Sequence, residues 1–233
     1  MKHIENLGAP VLILHDTTAL EYTTHRSLEA LGPIGNGHRR GYITHNSLAV
    51  EPETCEVIGL CNQVLHRRAK VAKSETRAQR NKRSSRESRL WIQGTEPLPN
   101  NRQYIDVCDR GADTSEFLEH EMGSGRRFVI RSSHDRCVLV GHGPSEESEA
   151  RKLREYGSTL PQAGSWTLQV TSKSEMRSPR RKGKKKLMTR TKRNANMTVA
   201  FAPVQINPSK ARKPMKVWIV RVWEIDPPND LLP

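Results

Sequence analysis

The segment Tyr104–Asp113, YIDVCDRGAD, begins with an apolar-leaning run that ends in the carboxylate of Asp109. A glycine and the expected start of a helix follow. The run up to Asp109 predicts a β-strand. Asp113 and Glu116 have the spacing of a capping box, which places the N-cap of a helix at Asp113. The apolar residues that follow predict a short helix ending at Gly123. This stretch therefore predicts a strand, a tight turn and a helix in succession.

The elements on both sides of this stretch extend the same pattern. Three strands are predicted before it, and the turn at residues 51–54, EPET, joins the second and third as a hairpin. The alternation of strands and helices indicates an α/β domain with a mixed sheet. The predicted strands span residues 11–22, 41–50, 55–65, 102–109 and 126–132, and the helices begin near residues 87 and 113.

The chain changes character after residue 140. A segment rich in Gly, Pro, Ser and Glu follows, and then three β-type runs separated by basic or Pro-rich loops. These runs span residues 166–170, 197–206 and 216–222. We therefore expect an α/β core at residues 1–140 and a β-rich region at residues 141–233.

Positive charge is concentrated in two segments of the chain. Its 233 residues include 39 Lys and Arg against 25 Asp and Glu, a net charge of +14. Segments 66–89 and 177–193 each hold ten of the basic residues and together only two acids, so the remaining chain is slightly acidic. Such basic blocks favour DNA or RNA as a partner. A solvated or disordered loop is the plainer interpretation of each block.

Other features of the sequence exclude or disfavour several classes of protein. No segment approaches the roughly 18 apolar residues of a membrane-spanning helix, and the first residues lack the apolar region of a secretory signal. The four cysteines form no C-x-x-C pair. This favours reduced thiols in a cytoplasmic protein over a zinc site or disulfides.

Two acidic motifs carry the chemistry. LHDTTAL places Asp16 in the first predicted strand, and VCDRGAD places Asp109 at the end of the fourth. Adjacent strands of a mixed sheet can hold two such carboxylates side by side. Carboxylates that share two divalent metals about 4 Å apart suit phosphodiester chemistry. Asp106 has the opposite parity to Asp109, so it is expected on the other face of the strand and outside the site.

The chain resembles the DDE transposases of bacterial insertion sequences, within the insertion-sequence-four group. The matching text is DTTALEYT from Asp16, VIGLCNQVLHRR, VCDRGADTSEFL around Asp109, and RFVIRSSHDR ending at Arg136. The order and spacing of these motifs agree over residues 11–136 and more loosely to residue 228. The resemblance implies an RNase H-like mixed sheet, with a β-rich insertion subdomain after its last strand.

The resemblance also implies an activity and its participants. The family cleaves double-stranded DNA at transposon ends with Mg²⁺ or Mn²⁺ and transfers the freed strand into target DNA, in the bacterial cytoplasm at the nucleoid. Asp16 and Asp109 match the first two catalytic, metal-binding acids. The partner implied besides DNA is a second copy of the chain or an intact transposase. The residues expected to contact DNA are Arg131, Arg136, Arg180, Arg181, Lys182, Lys184, Lys185 and Lys186.

The sequence departs from the family pattern at both ends. The third acid of the family is a glutamate in a signature that begins Tyr-x-x-Arg, and none of the four tyrosines is followed by Arg at the third position. Only fifteen residues precede Asp16, where the family has a helical domain that recognises DNA ends. We therefore expect a truncated or frameshifted transposase, incomplete in its core and without the final catalytic helix.

Two further interpretations remain open. One is an inactive DNA-binding protein or inhibitor of transposition, because two acids fix a metal less well than three. The other is a remnant that does not fold stably, because the apolar strand at residues 216–222 would lack a packing partner. Without the resemblance, Asp16 and Asp109 would be ordinary polar residues at strand ends.

Overall fold

A computed structural model describes residues 10–35, 38–69, 71–72, 74–141, 149–177, 186–206 and 214–228. The chain divides into two compact units, Met1–His134 and Asp135–Pro233. The division falls before the expected boundary at residue 140, because the strand Cys137–Val140 pairs with strands of the second unit.

The first unit contains six strands and three α-helices in its described residues. Single 3-10 turns at Glu87–Arg89 and Arg110–Ala112 accompany them. The strands are β1 Val11–Glu21, β2 Gly32–Ile34, β3 Arg39–Val50, β4 Val57–His66, β5 Tyr104–Cys108 and β6 Arg127–Ile130, and the helices are α1 Arg77–Lys82, α2 Leu90–Thr95 and α3 Ser115–Ser124.

These six strands form one mixed sheet. Its order is β4-β3-β1-β5-β6, and β2 pairs with the first residues of β3 on the edge that β4 also uses. β3 runs antiparallel to β1 and β4, whereas β5 runs parallel to β1 and β6. The α/β class with a mixed sheet is thereby confirmed, whereas β2 and α1 are additional elements that the sequence did not predict.

Alternation along β1 separates a buried face of the sheet from a more exposed one. Val11, Ile13 and His15 are buried, while the intervening residues are not. The buried face packs against apolar residues of α2 and α3, including Trp91 and Phe117. The candidate acids lie on the opposite face.

The start of α3 differs from the sequence prediction. Thr114, not Asp113, is the N-cap, and its hydroxyl accepts a hydrogen bond from the Phe117 amide at 3.2 Å. The Asp113 carboxylate instead accepts the amides of Ser133 at 2.7 Å and His134 at 3.0 Å. Asp113 thus joins the helix start to the segment after β6. No sequence pattern links two positions twenty residues apart, so only the fold shows this role.

The end of α3 also differs from the prediction. Gly123 lies inside the helix, and Gly125 ends it with φ +75°. This left-handed conformation favours glycine as the residue after a helix. Gly123 and Gly125 are two residues apart, and the sequence alone does not indicate which of them ends the helix.

The second unit is mainly antiparallel sheet. Its central strand, Arg193–Ile206, pairs with Met215–Glu224 on one edge, and with Gly164–Val170 and Cys137–Val140 on the other. The three predicted strands of this region are confirmed, whereas the strands Cys137–Val140 and Glu149–Lys152, the short helix Leu153–Thr159 and the hairpin of Lys173–Arg177 with Lys186–Arg190 were not predicted. The elements are β7 Cys137–Val140, β8 Glu149–Lys152, α4 Leu153–Thr159, β9 Gly164–Val170, β10 Lys173–Arg177, β11 Lys186–Arg190, β12 Arg193–Ile206 and β13 Met215–Glu224.

Candidate active site

Asp16 and Asp109 each follow the last paired residue of two adjacent parallel strands. The pairing of β1 with β5 runs to His15 and Cys108; Asp16 is the next residue of β1, and Asp109 is the first residue after β5. Adjacent strands lie about 4.8 Å apart. Both aspartates are exposed, and alternation places both on the face opposite to buried His15. The two predicted acids therefore lie on neighbouring strands, Asp16 in the middle of β1 and Asp109 just beyond the end of β5.

The Asp109 carboxylate is oriented by the turn that follows it. Its Oδ1 accepts the amide of Gly111 at 2.7 Å, and the residue caps the 3-10 turn Arg110–Ala112. A Cβ at Gly111 would lie 2.9 Å from the Trp91 ring and 3.0 Å from Asp109 Oδ1. The glycine of VCDRGAD is therefore required by close approach. Among the described residues, Oδ2 of Asp109 makes no hydrogen bond and remains available to a ligand.

Asp16 is held from its own strand. The Thr18 hydroxyl donates a hydrogen bond to Asp16 Oδ2 at 2.9 Å. Asn46 lies opposite Asp16 on β3, and its side-chain oxygen Oδ1 accepts hydrogen bonds from Thr44 and Gln63. Polar side chains thus surround this carboxylate on two neighbouring strands.

The aspartate pair suits a hard divalent cation. Mg²⁺ prefers oxygen ligands, commonly takes one or two carboxylates and keeps several waters. The described residues include no group of three or more His, Cys, Asp or Glu that could hold a metal. The two carboxylates are therefore a partial ligand set, which waters or phosphate oxygens would have to complete.

Arg131 lies at the same end of the sheet as the aspartates. Its amide donates to the Cys108 carbonyl at 3.0 Å, directly beyond the last residue of β6, and its side chain is exposed. Arg136 belongs to the second unit and is partly buried, and its carbonyl accepts the Leu153 amide at 2.8 Å.

The structure does not describe the side chains of the other residues that were predicted to contact DNA. Lys186 begins β11, opposite Arg177, but its side chain is outside the described part. The other five, Arg180, Arg181, Lys182, Lys184 and Lys185, lie outside the described residues. The expectation of one long loop over 177–193 is wrong at its ends, where β10, β11 and β12 include residues of it.

A buried polar network lies on the other face of the same strands. His15 Nε2 and Asp106 Oδ1 are 2.8 Å apart, and Arg126 Nε donates to Asp106 Oδ2 at 2.7 Å. Ser47 Oγ lies 3.0 Å from His15 Nδ1. Ser47, His15 and Asp106 form a Ser–His–Asp chain, but their exposures are 0%, 4% and 0%, so no substrate reaches them. The network ties β1, β3, β5 and β6 together beneath the aspartates.

The two buried carboxyl groups of this network, those of Asp106 and Glu121, have pKa values shifted in opposite directions. Burial alone would raise the pKa of Asp106, but the hydrogen bonds and charges of His15 and Arg126 outweigh it and lower the pKa. For Glu121, burial and the Asp106 charge raise the pKa to about 8 despite Arg126. Glu121 lies 3.5 Å from Arg126 Nη2, yet at neutral pH its carboxyl is protonated. The ion pair of the network is therefore Asp106 with Arg126.

His45 stacks on His15 of the buried network, with ring centroids 5.7 Å apart. Burial, followed by the charge of His15, lowers its pKa to about 4, against an opposing effect of Asp16. The ring shares a 2.8 Å hydrogen bond with the Thr17 hydroxyl and meets Trp91 edge-on at 4.7 Å. A neutral His45 is thus a packing residue and leaves Asp16 without a cationic neighbour on this side.

Sequence reasoning excluded Asp106 correctly from the exposed face but missed its role. The available signal was a carboxylate of buried parity within a strand, which requires a cationic partner. The identity of that partner, Arg126, depends on the fold, because the two residues lie on different strands or their flanks.

No protein-family model matches the chain. In the parts of the chain that the structure describes, no helix has the length and apolar character needed to cross a membrane.

Proposed function

We propose that this chain is part of a DDE transposase and supplies two of the carboxylates that bind Mg²⁺ or Mn²⁺ for DNA cleavage. The observation that carries the proposal is that Asp16 and Asp109 directly follow the paired residues His15 and Cys108 of the adjacent parallel strands β1 and β5. The strand order, with β3 alone running against the other four long strands, supports the RNase H-like core that the resemblance implies.

Each residue of the site has a distinct task in this proposal. Asp16 and Asp109 bind the metal ion, which would activate water and polarise the phosphodiester. The Gly111 amide restrains Asp109, and the Thr18 hydroxyl restrains Asp16. Arg131 binds a backbone phosphate of double-stranded DNA at the same sheet end, since guanidinium groups pair well with phosphate oxygens.

Metal binding provides the direct test. Mn²⁺ titration of the full chain, followed by electron paramagnetic resonance, is expected to show saturable binding that D16N and D109N each weaken at least about tenfold, because a carboxylate ligand becomes a neutral amide. Asp226→Asn is the matched control. Asp226 is exposed, belongs to the second unit and has φ +51°, a conformation that Asn also tolerates. Equal Mn²⁺ affinity in D16N and the control would refute the assignment.

A second candidate function is an inactive DNA-binding protein that inhibits transposition, alone or paired with an intact transposase. The observation in its favour is the absence of a third acid beside Asp16 and Asp109 among the described residues. Nicking of supercoiled plasmid with Mn²⁺ distinguishes the two. Nicking that D109N abolishes supports the nuclease, whereas salt-sensitive DNA binding without metal-dependent nicking supports the inhibitor.

A further inference from the structure

An arginine-lined cavity of about 490 Å³ lies in the first unit, in the first basic segment. Its lining includes the side chains of Arg68, Arg80, Arg83 and Arg86, with Glu87 as the acidic residue among them. Three of these guanidinium groups are paired with glutamates and, in the described part of the chain, Arg80 is not, so the cluster keeps a net positive charge. Neither candidate carboxylate, Asp16 or Asp109, contributes to it.

Local structure holds these arginines in place. Helix α1 begins with a capping box, in which the Thr76 hydroxyl accepts the Gln79 amide and the Gln79 side chain accepts the Thr76 amide. Arg80 lies on this short helix and Arg83 caps its end. The capped helix therefore fixes the backbone positions of Arg80 and Arg83 before any ligand binds, which limits the entropy cost of binding.

Three of the arginines are anchored on carboxylates from one side. Arg68 binds Glu87 through Nε and Nη2, at 2.5 and 2.8 Å. Glu75 accepts Arg83 Nε at 2.8 Å. Arg86 donates through Nη2 to Glu116, so each anchored guanidinium keeps further donors that no described carboxylate occupies.

Two observations show that the cluster keeps hydrogen-bond donors that the described residues do not use. Arg80 is exposed, and its side chain has no ion pair or hydrogen bond within the described residues. The Nε atom of Arg86 is buried and has no hydrogen-bond partner there. A buried donor without a partner costs free energy, which an incoming acceptor would recover. Ser85 and Ser88 add two hydroxyl groups to the lining.

We propose that this cavity is a phosphate-binding site, in which Arg80 and Arg86 contact the ligand beside Arg68 and Arg83, which stay paired with their glutamates. Phosphate matches the site because its oxygens accept bidentate hydrogen bonds from planar guanidinium groups. The proposed function supplies the source of the phosphate, a backbone group of double-stranded DNA, and the inference rests on that function for the source alone. A phosphorylated small molecule would present the same chemistry.

Inorganic phosphate tests the site without requiring DNA. The arginine Nε–Hε resonances of the full chain are followed by NMR during titration with inorganic phosphate at constant ionic strength. Arg80→Gln is the test variant, and Arg77→Gln is its control, because Arg77 is exposed on the same helix but is not among the lining residues. We expect saturable shifts in the wild type and R77Q, and affinity at least about threefold weaker in R80Q.

A labelled duplex provides the second measurement. Fluorescence anisotropy between about 50 and 200 mM salt gives the slope of log K against log salt, and loss of one phosphate contact lowers that slope by about 0.9. We expect this change in R80Q and a smaller one in R77Q.

The outcomes separate the site from its ligand source. Absence of saturable phosphate binding, or equal behaviour of R80Q and R77Q, would overturn the site even if the chain binds DNA. Phosphate binding that depends on Arg80, in a chain that does not bind the duplex, would support the site and assign it to a phosphorylated small molecule. That last result would refute the proposed DNA function while the cavity assignment stands.

Discussion

Replacement of Glu121 by Gln tests the charge balance beneath the two candidate carboxylates. Glu121 is 1% exposed, and neither of its oxygens has a hydrogen-bond partner among the described residues. Asp106 and Arg126 face it from the sheet side, and His120 Nε2 lies 4.0 Å from its Oε1. Gln has nearly the shape of the protonated carboxyl and cannot ionise, so the variant removes only the titration.

The magnitude follows from the pKa. Burial and the Asp106 charge raise the pKa of Glu121 from its ordinary 4.5 to about 8. Because the folded pKa is the higher one, the folded unit retains a proton that the unfolded chain releases. Its contribution to stability is complete below about pH 4.5 and is lost as the pH rises to about 8. At about 1.36 kcal/mol for each pKa unit, the loss amounts to about 4–5 kcal/mol.

The assay must report on the first unit. Trp91 is the one tryptophan in residues 1–134, so urea unfolding is followed by its fluorescence in a chain whose other three tryptophans are Phe. From about pH 5 to about pH 9, the free energy of unfolding should fall by about 4 kcal/mol more in the parent than in E121Q. Glu53→Gln makes the same chemical change at an exposed position and should follow the parent.

The comparison of the parent with E121Q also cancels the pH dependence of stability that other titrating groups contribute. The lowered pKa values of Asp106 and His45 make the first unit less stable as the pH falls, but they act in both proteins. A difference in unfolding free energy between the parent and E121Q that stays constant across this pH range would show that Glu121 ionises normally. The reasoning about the buried network would then be wrong.

Two further substitutions test the packing around the site. Arg126→Met should lower the unfolding free energy of the first unit by about 3–5 kcal/mol, because it leaves Asp106 buried without its cation. Arg127→Met, at the exposed neighbouring residue, should lower it far less. Equal urea midpoints for the two variants would contradict this reasoning. Gly94→Ala should destabilise the unit by about 1–3 kcal/mol, because the new Cβ would lie 2.5 Å from the His45 ring. Gly123→Ala, with nothing within 4 Å, should instead stabilise α3 by about 0.5–1 kcal/mol, so two calorimetric changes of the same sign would refute this account.

The strands were the most predictable part of the molecule. β1, β3 and β12 are long runs with clear burial alternation, and local periodicity is a property of sequence alone. Short elements were harder. Five to seven residues form each of the helix Leu153–Thr159 and the hairpin strands Lys173–Arg177 and Lys186–Arg190. Segments this short carry little periodicity, and each hairpin strand depends on its pairing with the other.

The sequence by itself determined the identity of the two candidate acids, the glycine after Asp109 and the parity that separates Asp106 from them. These are local properties, because strand alternation and a tight turn depend on neighbouring residues. Only the tertiary structure decided that Asp16 and Asp109 follow paired residues of adjacent strands, that Arg126 neutralises Asp106, and that the arginines of one segment line a cavity. Each of these depends on the pairing of residues far apart in the chain, and burial then sets the charge that each group carries.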